Sequence, residues 1–415
     1  MQTVGVIVEY NPFHNGHKWH IAAAKKHSGC PLVVGVMSGN FVQRGEPAIF
    51  DKWKRAEMAI QGGVDLIIEL PAAFAVRSAQ YFAAGGIRLL HSLGIVNQVC
   101  FGAEHADLKI LKILSTAIND LKIIKQMHSN LQTGNTYAAA LGEALKNQYT
   151  IPAAIINSSN NILAVEYLRA IEKFAPELQP IAVTRQDSKY NDTAITSPFA
   201  SATAIRQALI EHMAITSDIK SAIPETTLKI ISEALAERRG PVTLSDFSSI
   251  ILAQLRTMNF KELEQLPNVS EGLHYKIRDS SLLAKNIEHL IVLLKSKRYT
   301  YTRLQRILIH TLLRTTQNQL AAFDKQGPLY ARVLAFNQNG RLLLKRINQH
   351  GTIPLITKTT HYLTSKQRDT SCLTPLQQML AIDTVSSDIY SLGIPSSNWN
   401  MGAWDFRHSA LYIPT

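Results

Sequence analysis

The chain has 415 residues, which is more than one ordinary hydrophobic core needs, so two domains are expected. Its 43 Lys and Arg residues outnumber 31 Asp and Glu, and the formal net charge of +12 favours a polyanionic partner or a basic soluble protein. Cys30, Cys100 and Cys372 are too far apart in sequence to indicate a zinc site or a disulfide framework, and neither a signal peptide nor a membrane-length apolar run is present, which predicts a cytoplasmic protein.

Short apolar runs alternate with helical patterns up to about residue 215, which predicts an α/β fold with an open, doubly wound parallel sheet. The predicted strands are Val4–Val8, Leu32–Met37, Val64–Leu70, Gln98–Phe101 and Ile181–Thr184. The predicted helices are Lys18–His27, Asp51–Gln61, Ala75–Leu93, Asp107–Met127, Thr136–Lys146, Asn161–Lys173 and Ser201–His212. Ligands of such sheets bind above the carboxyl ends of the strands.

The junction of the first strand and the first helix carries two histidines three residues apart, His14 and His17, in the segment Asn11–His17. The free N–H groups and positive dipole end of a helix start attract phosphate, and two imidazoles on one side of that start can reach the same anion. A lone histidine near a turn is more often a satisfied polar residue. The ordered combination of strand, Pro-containing turn, His-x-Gly-His and helix favours a phosphate site.

The loop after the second strand, residues 37–47, contains two glycines, a proline and Arg44. Arg44 can clamp a carboxylate or a phosphate, followed by Lys52 and Arg55 on the next helix. An ordinary surface loop is the alternative. Glu69 on the third strand belongs either to the rim of a site or to a structural partner of a nearby turn.

Further candidates follow the later strands. Gly102 ends the fourth strand and lets a ligand approach the backbone, and one residue of the run 158–161 is expected to cap the next helix. Ser201, Thr203 and Arg206 at the start of another helix form a second anion cradle for the β- and γ-phosphates of a nucleotide, or simply a capped amphipathic helix.

From Pro224 onward the pattern is mostly helical. Residues 331–336 and 341–346 are predicted to be two strands of a hairpin, because Asn337–Gly340 ends in Asn-Gly between apolar runs. The predicted domains are 1–215 and 216–415. The second half is the more basic, since residues 215–415 hold 24 Lys or Arg against 15 Asp or Glu.

One stretch of the second half combines basic and aromatic residues with no acidic residue between Glu288 and Asp324. Lys and Arg neutralise phosphates and tyrosines stack on unpaired bases, although a basic run is often only a solvated face. The predicted RNA contacts are Lys297, Arg298, Tyr299, Tyr301, Arg303 and Arg306.

Five ordered motifs together carry a resemblance that covers residues 4 to about 314. They are the segments at residues 8–17, 37–48, 63–71, 201–206 and 297–306. With these motifs the chain resembles the bacterial tRNA(Met) cytidine acetate ligases, a family of HIGH-type nucleotidyltransferases with a HUP or Rossmann-like catalytic domain. The resemblance implies ATP-dependent activation of acetate as acetyl-adenylate, then acetylation of N4 of the wobble cytidine of elongator tRNA(Met), with release of AMP and pyrophosphate.

The resemblance also implies roles for individual residues. His14 and His17 would be catalytic, and residues 38–44 would form a substrate loop through Ser38, Gly39, Asn40, Gln43 and Arg44. ATP would be bound by Ile7, Val8, Glu9, Tyr10, Asn11, Pro12, Phe13, His14, Asn15, Gly16, His17, Lys18, Trp19, His20, Gly102, Asn160 and Arg185, with Ser201, Thr203 and Arg206 at the pyrophosphate end. Magnesium is expected to accompany ATP, and no carboxylate cluster specifies a metal site in the protein.

Two other functions use the same turn. One is a small-molecule adenylyltransferase of coenzyme biosynthesis, which leaves the long basic second half unexplained. The other is a nucleotide-sensing RNA-binding protein without catalysis, against which the intact pair His14 and His17 argues. Residue spacing alone selects neither acetate nor cytidine and carries no signal of oligomeric state, so the resemblance supplies both substrates.

Overall fold

The architecture comes from a computed structural model that describes residues 2–132, 137–146, 155–156, 158–186, 195, 197–296 and 298–414. The strands are β1 Thr3–Val8, β2 Leu32–Ser38, β3 Phe41–Val42, β4 Glu46–Pro47, β5 Leu66–Leu70, β6 Gln98–Ala103, β7 Gln179–Thr184, β8 Ala331–Phe336, β9 Leu355–Ile356 and β10 Leu411–Tyr412.

Helices cover both faces of the sheet and most of the second half of the chain. In the first half they are α1 Asn15–Ser28, α2 Lys52–Gln61, α3 Ala72–Ala75, α4 Ala79–Ser92, α5 Leu108–Ala117, α6 Leu121–Gln132, α7 Tyr137–Lys146, α8 Ser159–Phe174 and α9 Ala202–His212. In the second half they are α10 Ser217–Ala222, α11 Glu225–Ala236, α12 Ser248–Thr257, α13 Phe260–Glu264, α14 Leu273–Leu283, α15 Ile287–Leu294, α16 Tyr301–Leu313, α17 Gln317–Gln326, α18 Gln338–His350, α19 Ser365–Arg368, α20 Pro375–Ser391 and α21 Trp404–Arg407. Short 3₁₀ turns lie at Leu244–Phe247, Thr359–His361 and Ser397–Trp399.

The predicted parallel sheet is confirmed for the first half of the chain. Strand β1 pairs in parallel with β2 and β6, and the order across the sheet is β10-β8-β5-β2-β1-β6-β7, with β9 beside β8. Every residue of β2 is buried, as expected for a strand covered on both faces. Within the described residues, no helix combines the length and apolar character needed to cross a bilayer.

Two predicted helices are each divided in two. The helix expected at 75–93 is α3 and α4, with a break at Val76–Ser78, and the helix expected at 107–127 is α5 and α6. In the first case Ser78 begins α4 in an extended conformation. The apolar periodicity continues across this break, so the pattern alone did not reveal it.

The predicted hairpin at 331–346 is wrong. Strand β8 forms, but residues 338–350 are helix α18, and β8 joins the main sheet antiparallel to β5. Asn337 caps α18 by accepting the N–H of Gly340, and its side chain donates to Asp65 at 3.1 Å. A Cβ at Gly340 would overlap the carbonyl oxygen of Asp65, so the glycine permits docking of a helix start and does not form a turn.

Strands β8 and β10 therefore bring the second half of the chain into the same sheet as the first. The sheet and the hydrophobic core both include residues from before and after residue 215. The two predicted domains, 1–215 and 216–415, remain a prediction about how functions are divided along the chain.

A buried ionic cluster fixes this junction. The Nζ of Lys52 lies 2.9 Å from Glu69 and 3.0 Å from Asp405, and Arg332 lies 3.2 Å from Glu69 and 2.9 Å from Asp405. Burial by itself would raise the pKa of Asp405, but Arg332 and Lys52 outweigh it and hold the pKa below its usual value. Of the two alternatives for Glu69, the structure therefore shows a structural partner, and Lys52 is engaged in the same buried cluster.

The substitution Asp405→Asn tests this cluster. It leaves two buried cations with one carboxylate fewer, so we expect the free energy of unfolding in urea to fall by about 3–5 kcal/mol. Asp369→Asn, at an exposed position, serves as the control and should change it by less than about 0.5 kcal/mol. Equal effects of the two substitutions would contradict a stabilising role for the cluster.

Candidate active site

A cavity of about 690 Å³ opens at the carboxyl end of β1, between the β6–β7 side of the sheet and the β2 side. It lies at the edge of the sheet where ligands of this fold class bind. Sixteen predicted ATP-binding residues line it: Ile7, Val8, Glu9, Tyr10, Asn11, His14, Gly16, His17, Trp19, His20, Gly102, Asn160, Arg185, Ser201, Thr203 and Arg206.

His14, the residue before helix α1, and His17, in the first turn of the helix, cap it together. The Nδ1 of His14 accepts the N–H of Gly16 at 3.1 Å, and the Nδ1 of His17 accepts the N–H of His14 at 3.3 Å. The two rings stack with centroids 3.6 Å apart. Because each Nδ1 accepts a hydrogen bond, a neutral ring carries its proton on Nε2 and presents an N–H donor there.

Both imidazoles are held neutral. Burial, with the nearby cations of Arg185 and Arg206, lowers the pKa of His14 to about 3, and burial together with His14, Arg185 and His20 lowers the pKa of His17. The buried Nε2 of His14 has no hydrogen-bond partner among the described residues. A phosphate oxygen in the cavity would supply the missing acceptor.

Gly102, Asn160 and Arg185 are far apart in sequence but meet on the β6–β7 side of the cavity. The side chain of Arg185 packs over Gly102 and donates to the Oδ1 of Asn160 at 3.3 Å. Asn160 in turn donates to Glu104 at 2.7 Å, and Glu104 accepts the N–H of Asn161 at 3.1 Å. The sequence reasoning did not assign Glu104, although an acid directly after a strand was a usable signal.

A second helix start faces the same cavity. Ser201 caps α9 by accepting the N–H of Ala204, as one of the two alternatives predicted. Arg206 donates to the Oγ1 of Thr203 at 3.2 Å and to the carbonyl oxygen of Asn11 at 3.0 Å. Arg206 therefore links the second helix start to the turn that carries the histidines.

Four residues predicted to bind ATP are not among the cavity-lining residues. Pro12 and Phe13 are buried beneath the turn, and Phe13 packs against Gly62. Asn15 donates to the carbonyl oxygens of Pro198 and Ser221, while Lys18 is exposed. These residues shape the turn and its surroundings.

The predicted substrate loop divides into a cavity-facing part and a supporting part. Gln43 and Arg44 line the cavity between β3 and β4. Arg55 donates to the carbonyl oxygens of Ser38 and Gly39 and so supports the loop and does not face the cavity. Asn40 is also buried: its side chain accepts the N–H of Lys52 and donates to Ser387.

The carboxyl group of Glu9 lies between the loop and β1. It accepts the N–H of Gln43 at 2.7 Å and the hydroxyl of Ser38 at 3.4 Å. Burial raises its pKa above the usual value, against the opposing effects of the Gln43 N–H and of Arg44. Glu9 thus connects the strand that leads into the histidine turn with the loop on the β2 side.

Two of the predicted RNA contacts are on the surface. The Arg298 side chain is 80% exposed and lies 3.7 Å from Glu271, and Tyr301 is about half exposed. Lys297 lies outside the described residues.

The other predicted RNA contacts are engaged within the protein. Tyr299 is buried, and the guanidinium of Arg303 lies over its ring while donating to the carbonyl oxygen of Asn268. Residues 304–313 of α16 are all buried, and Arg306 is one of them. Arg306 also lines the cavity. Tyr299, Arg303 and Arg306 therefore do not form one exposed basic surface with Arg298 and Tyr301.

Comparison with known proteins shows which family the chain resembles. Residues 1–403 match the family model described as HIGH Nucleotidyl Transferase. The chain is 42% identical to a tRNA(Met) cytidine acetate ligase of Caldanaerobacter subterraneus and 40% identical to one of Thermoanaerobacter, with 100% of both chains covered in each case.

Solved structures give the same result. The apo structure of Thermotoga maritima TmcAL superposes with a TM-score of 0.92 at 30% identity, and the form bound with alpha-thio ATP superposes with a TM-score of 0.90 at 29% identity. Each comparison covers 100% of both chains.

The neutral state of His14 predicts a specific pH dependence of stability. Its pKa of about 3 in the folded protein lies below the value near 6.5 of an unfolded chain, so the unfolded state binds the proton first. The stabilisation is present above pH 6.5 and is lost progressively as the pH falls from about 6.5 to about 3, at up to about 1.4 kcal/mol per pH unit.

Urea unfolding between pH 7 and pH 4 measures this dependence. His17, His20 and His310 are also buried with lowered pKa, so we expect His14→Asn to reduce the slope of the curve by about one proton and not to abolish it. His27→Asn, at an exposed position of α1, should leave the slope unchanged. A curve for His14→Asn with the wild-type slope would show that His14 is not buried in the neutral form.

Proposed function

Since the chain belongs to the HIGH nucleotidyl transferase family and, within it, to the tRNA(Met) cytidine acetate ligases, we propose that it uses ATP and acetate to acetylate elongator tRNA(Met) at N4 of the wobble cytidine. It would do so in the cytoplasm, where tRNA and ATP are available. The observation that carries the mechanism is the stacked pair of neutral imidazoles at the start of α1, each of which accepts a backbone N–H through Nδ1.

The first step forms a mixed anhydride. A carboxylate oxygen of acetate attacks the α-phosphorus of ATP, a new O–P bond forms, and the bond to the bridging oxygen breaks as pyrophosphate leaves with the electron pair. His14, His17 and the positive end of the α1 dipole stabilise the charge that builds on the phosphate oxygens. No nucleophile from the protein is needed, because positioning and charge stabilisation supply the rate.

The second step transfers the acetyl group. The exocyclic amine of cytidine attacks the carbonyl carbon of acetyl-adenylate, a C–N bond forms, the C–O bond breaks, and AMP leaves while the amine gives up a proton. The cytidine is an anticodon base, and an unpaired loop base is accessible to an enzyme without melting a duplex.

We assign the two ends of the nucleotide to the two sets of residues beside the histidines. Gly102, Asn160 and Arg185 would hold the adenosine end on the β6–β7 side. Ser201, Thr203 and Arg206 would hold the departing pyrophosphate at the start of α9, where a helix dipole and a guanidinium act on the same anion.

Magnesium would enter as the complex of ATP, as a part of the substrate. Across the described part of the chain, no group of three or more His, Cys, Asp or Glu side chains is placed to hold a metal ion. None of the steps above depends on a protein-held metal.

We propose that residues 1–215 supply catalysis and that residues 216–415 supply most of the tRNA contacts. The second part carries most of the net positive charge, and Arg298 and Tyr301 are exposed at the start of α16. Arginine can neutralise a backbone phosphate there, and the tyrosine can stack on an unpaired base. Lys297, the neighbour of Arg298 in the sequence, and Arg303 would also contribute positive charge.

The function is tested with purified protein, ATP, radiolabelled acetate and transcripts of elongator tRNA(Met). We expect labelled tRNA whose nucleosides include N4-acetylcytidine by mass spectrometry, and acetate-dependent exchange of pyrophosphate into ATP. A transcript with uridine at the wobble position is the control and should stay unlabelled. Absence of both label and exchange would refute the proposal.

His17→Asn separates an enzyme from a nucleotide sensor. Asparagine preserves an acceptor for the N–H of His14 but removes the Nε2 donor, so we expect kcat to fall about 100- to 1000-fold while the affinity for ATP falls less than about tenfold. His27→Asn again serves as the exposed control. Loss of ATP affinity with an unchanged kcat would contradict a role in the transition state.

A further inference from the structure

Arg306 lies in the cavity and not on the surface, where an RNA-binding residue is expected. Its side chain lines the catalytic cavity together with Thr302, one turn earlier on α16, and Arg306 as a whole is only 9% exposed. The helix comes from the second half of the chain, whereas most residues around the cavity come from the first half.

Tight packing between α16 and the β3–β4 loop fixes the position of Arg306. Gly45 has a φ of +81°, and a Cβ at this residue would overlap the backbone nitrogen of Arg306. Beside it, the side chain of Gln305 donates to Glu46 at 2.9 Å. The helix and the loop therefore form one wall of the cavity.

The guanidinium of Arg306 is poorly satisfied. Its Nη1 lies 3.5 Å from the carbonyl oxygen of Gln43, a long hydrogen bond, and its buried Nε has no partner among the described residues. No carboxylate of the described residues lies within ion-pair distance of it. Burial and the neighbouring Arg303 and Arg44 lower its pKa to about 10, which still leaves it charged at neutral pH. A buried cation in this state is costly unless an anion joins it.

The position of Arg306 indicates which anion that is. Gly102 and Arg185 lie on the β6–β7 side of β1, whereas Arg306, Gln43 and Arg44 lie on the opposite, β2 side. The adenosine end of ATP is assigned above to the first side and its pyrophosphate to the start of α9, so among the reactants of the proposed function the carboxylic acid is the one small anion without an assigned partner.

We propose that Arg306 binds the carboxylate of acetate and thereby determines the affinity for the acid substrate. The assignment rests on the proposed function. Arginine presents a planar set of N–H donors that matches a carboxylate, and it would be delivered to the site by a helix of the second half of the chain.

This contact acts in both steps of the reaction. One carboxylate oxygen attacks the α-phosphorus while Arg306 holds the other, which becomes the carbonyl oxygen of acetyl-adenylate. When the cytidine amine attacks the carbonyl carbon, an electron pair moves onto that held oxygen, where the guanidinium stabilises it. The pair returns as the C–O bond to AMP breaks.

Steady-state kinetics of Arg306→Gln and Arg306→Lys test the assignment, with acetate, ATP and tRNA varied in turn. We expect the KM for acetate to rise about tenfold or more, because a charge-assisted hydrogen bond is lost, and the KM values for ATP and tRNA to stay within about threefold. Guanidinium ion added to Arg306→Ala should restore part of the rate. Arg341→Gln, exposed on α18, is the control for loss of one positive charge.

The outcomes separate the alternatives. A raised KM for tRNA with an unchanged KM for acetate would overturn the assignment and make Arg306 an RNA phosphate contact. If Arg306→Ala and Arg306→Lys both unfold at a lower temperature than the wild type, and guanidinium does not restore the rate of Arg306→Ala, the assignment is overturned in favour of a structural role. A wild-type protein that acetylates no tRNA refutes the proposed function as well, whereas active wild type with unchanged acetate kinetics in the variants refutes this assignment alone.

Discussion

The start of helix α1 is the constraint on which the site depends. The hydrogen bonds that satisfy the free N–H groups there are accepted by the imidazoles of His14 and His17, so helix capping and tautomer selection are the same event. Arg206 ties this turn to a second helix start through the carbonyl oxygen of Asn11. The same few hydrogen bonds therefore fix the start of α1 and the ring nitrogens that His14 and His17 present to the cavity.

The opposite wall of the cavity depends on contacts that are distant in sequence. Asn40 bonds to Ser387, and Lys52 bonds to Asp405, so residues 38–44 and the start of α2 rest on residues from the far end of the chain. Gly45 brings α16 against the same loop. The second half of the protein thus braces the catalytic cavity as well as carrying most of the positive charge.

Much of the fold could be predicted from sequence, because buried parallel strands are continuous apolar runs and the His-x-Gly-His turn follows the first of them. The errors have physical causes. Asn-Gly suits a hairpin and a helix start equally well, and only the partner Asp65 decides for the helix at Asn337. Arg306 was assigned to a surface because its burial depends on packing against a loop about 260 residues earlier. Contacts of that range leave no local pattern.

The ionic cluster at Asp405 also sets an order of events during protein synthesis. Lys52 and Glu69 leave the ribosome early, but their shared partner emerges only after more than three hundred further residues have been translated. A nascent chain can form β1, β2 and β5 before then, yet it holds Lys52 and Glu69 without Asp405. The contact that Asp405 makes with Lys52 is therefore available only after residue 405 has been translated.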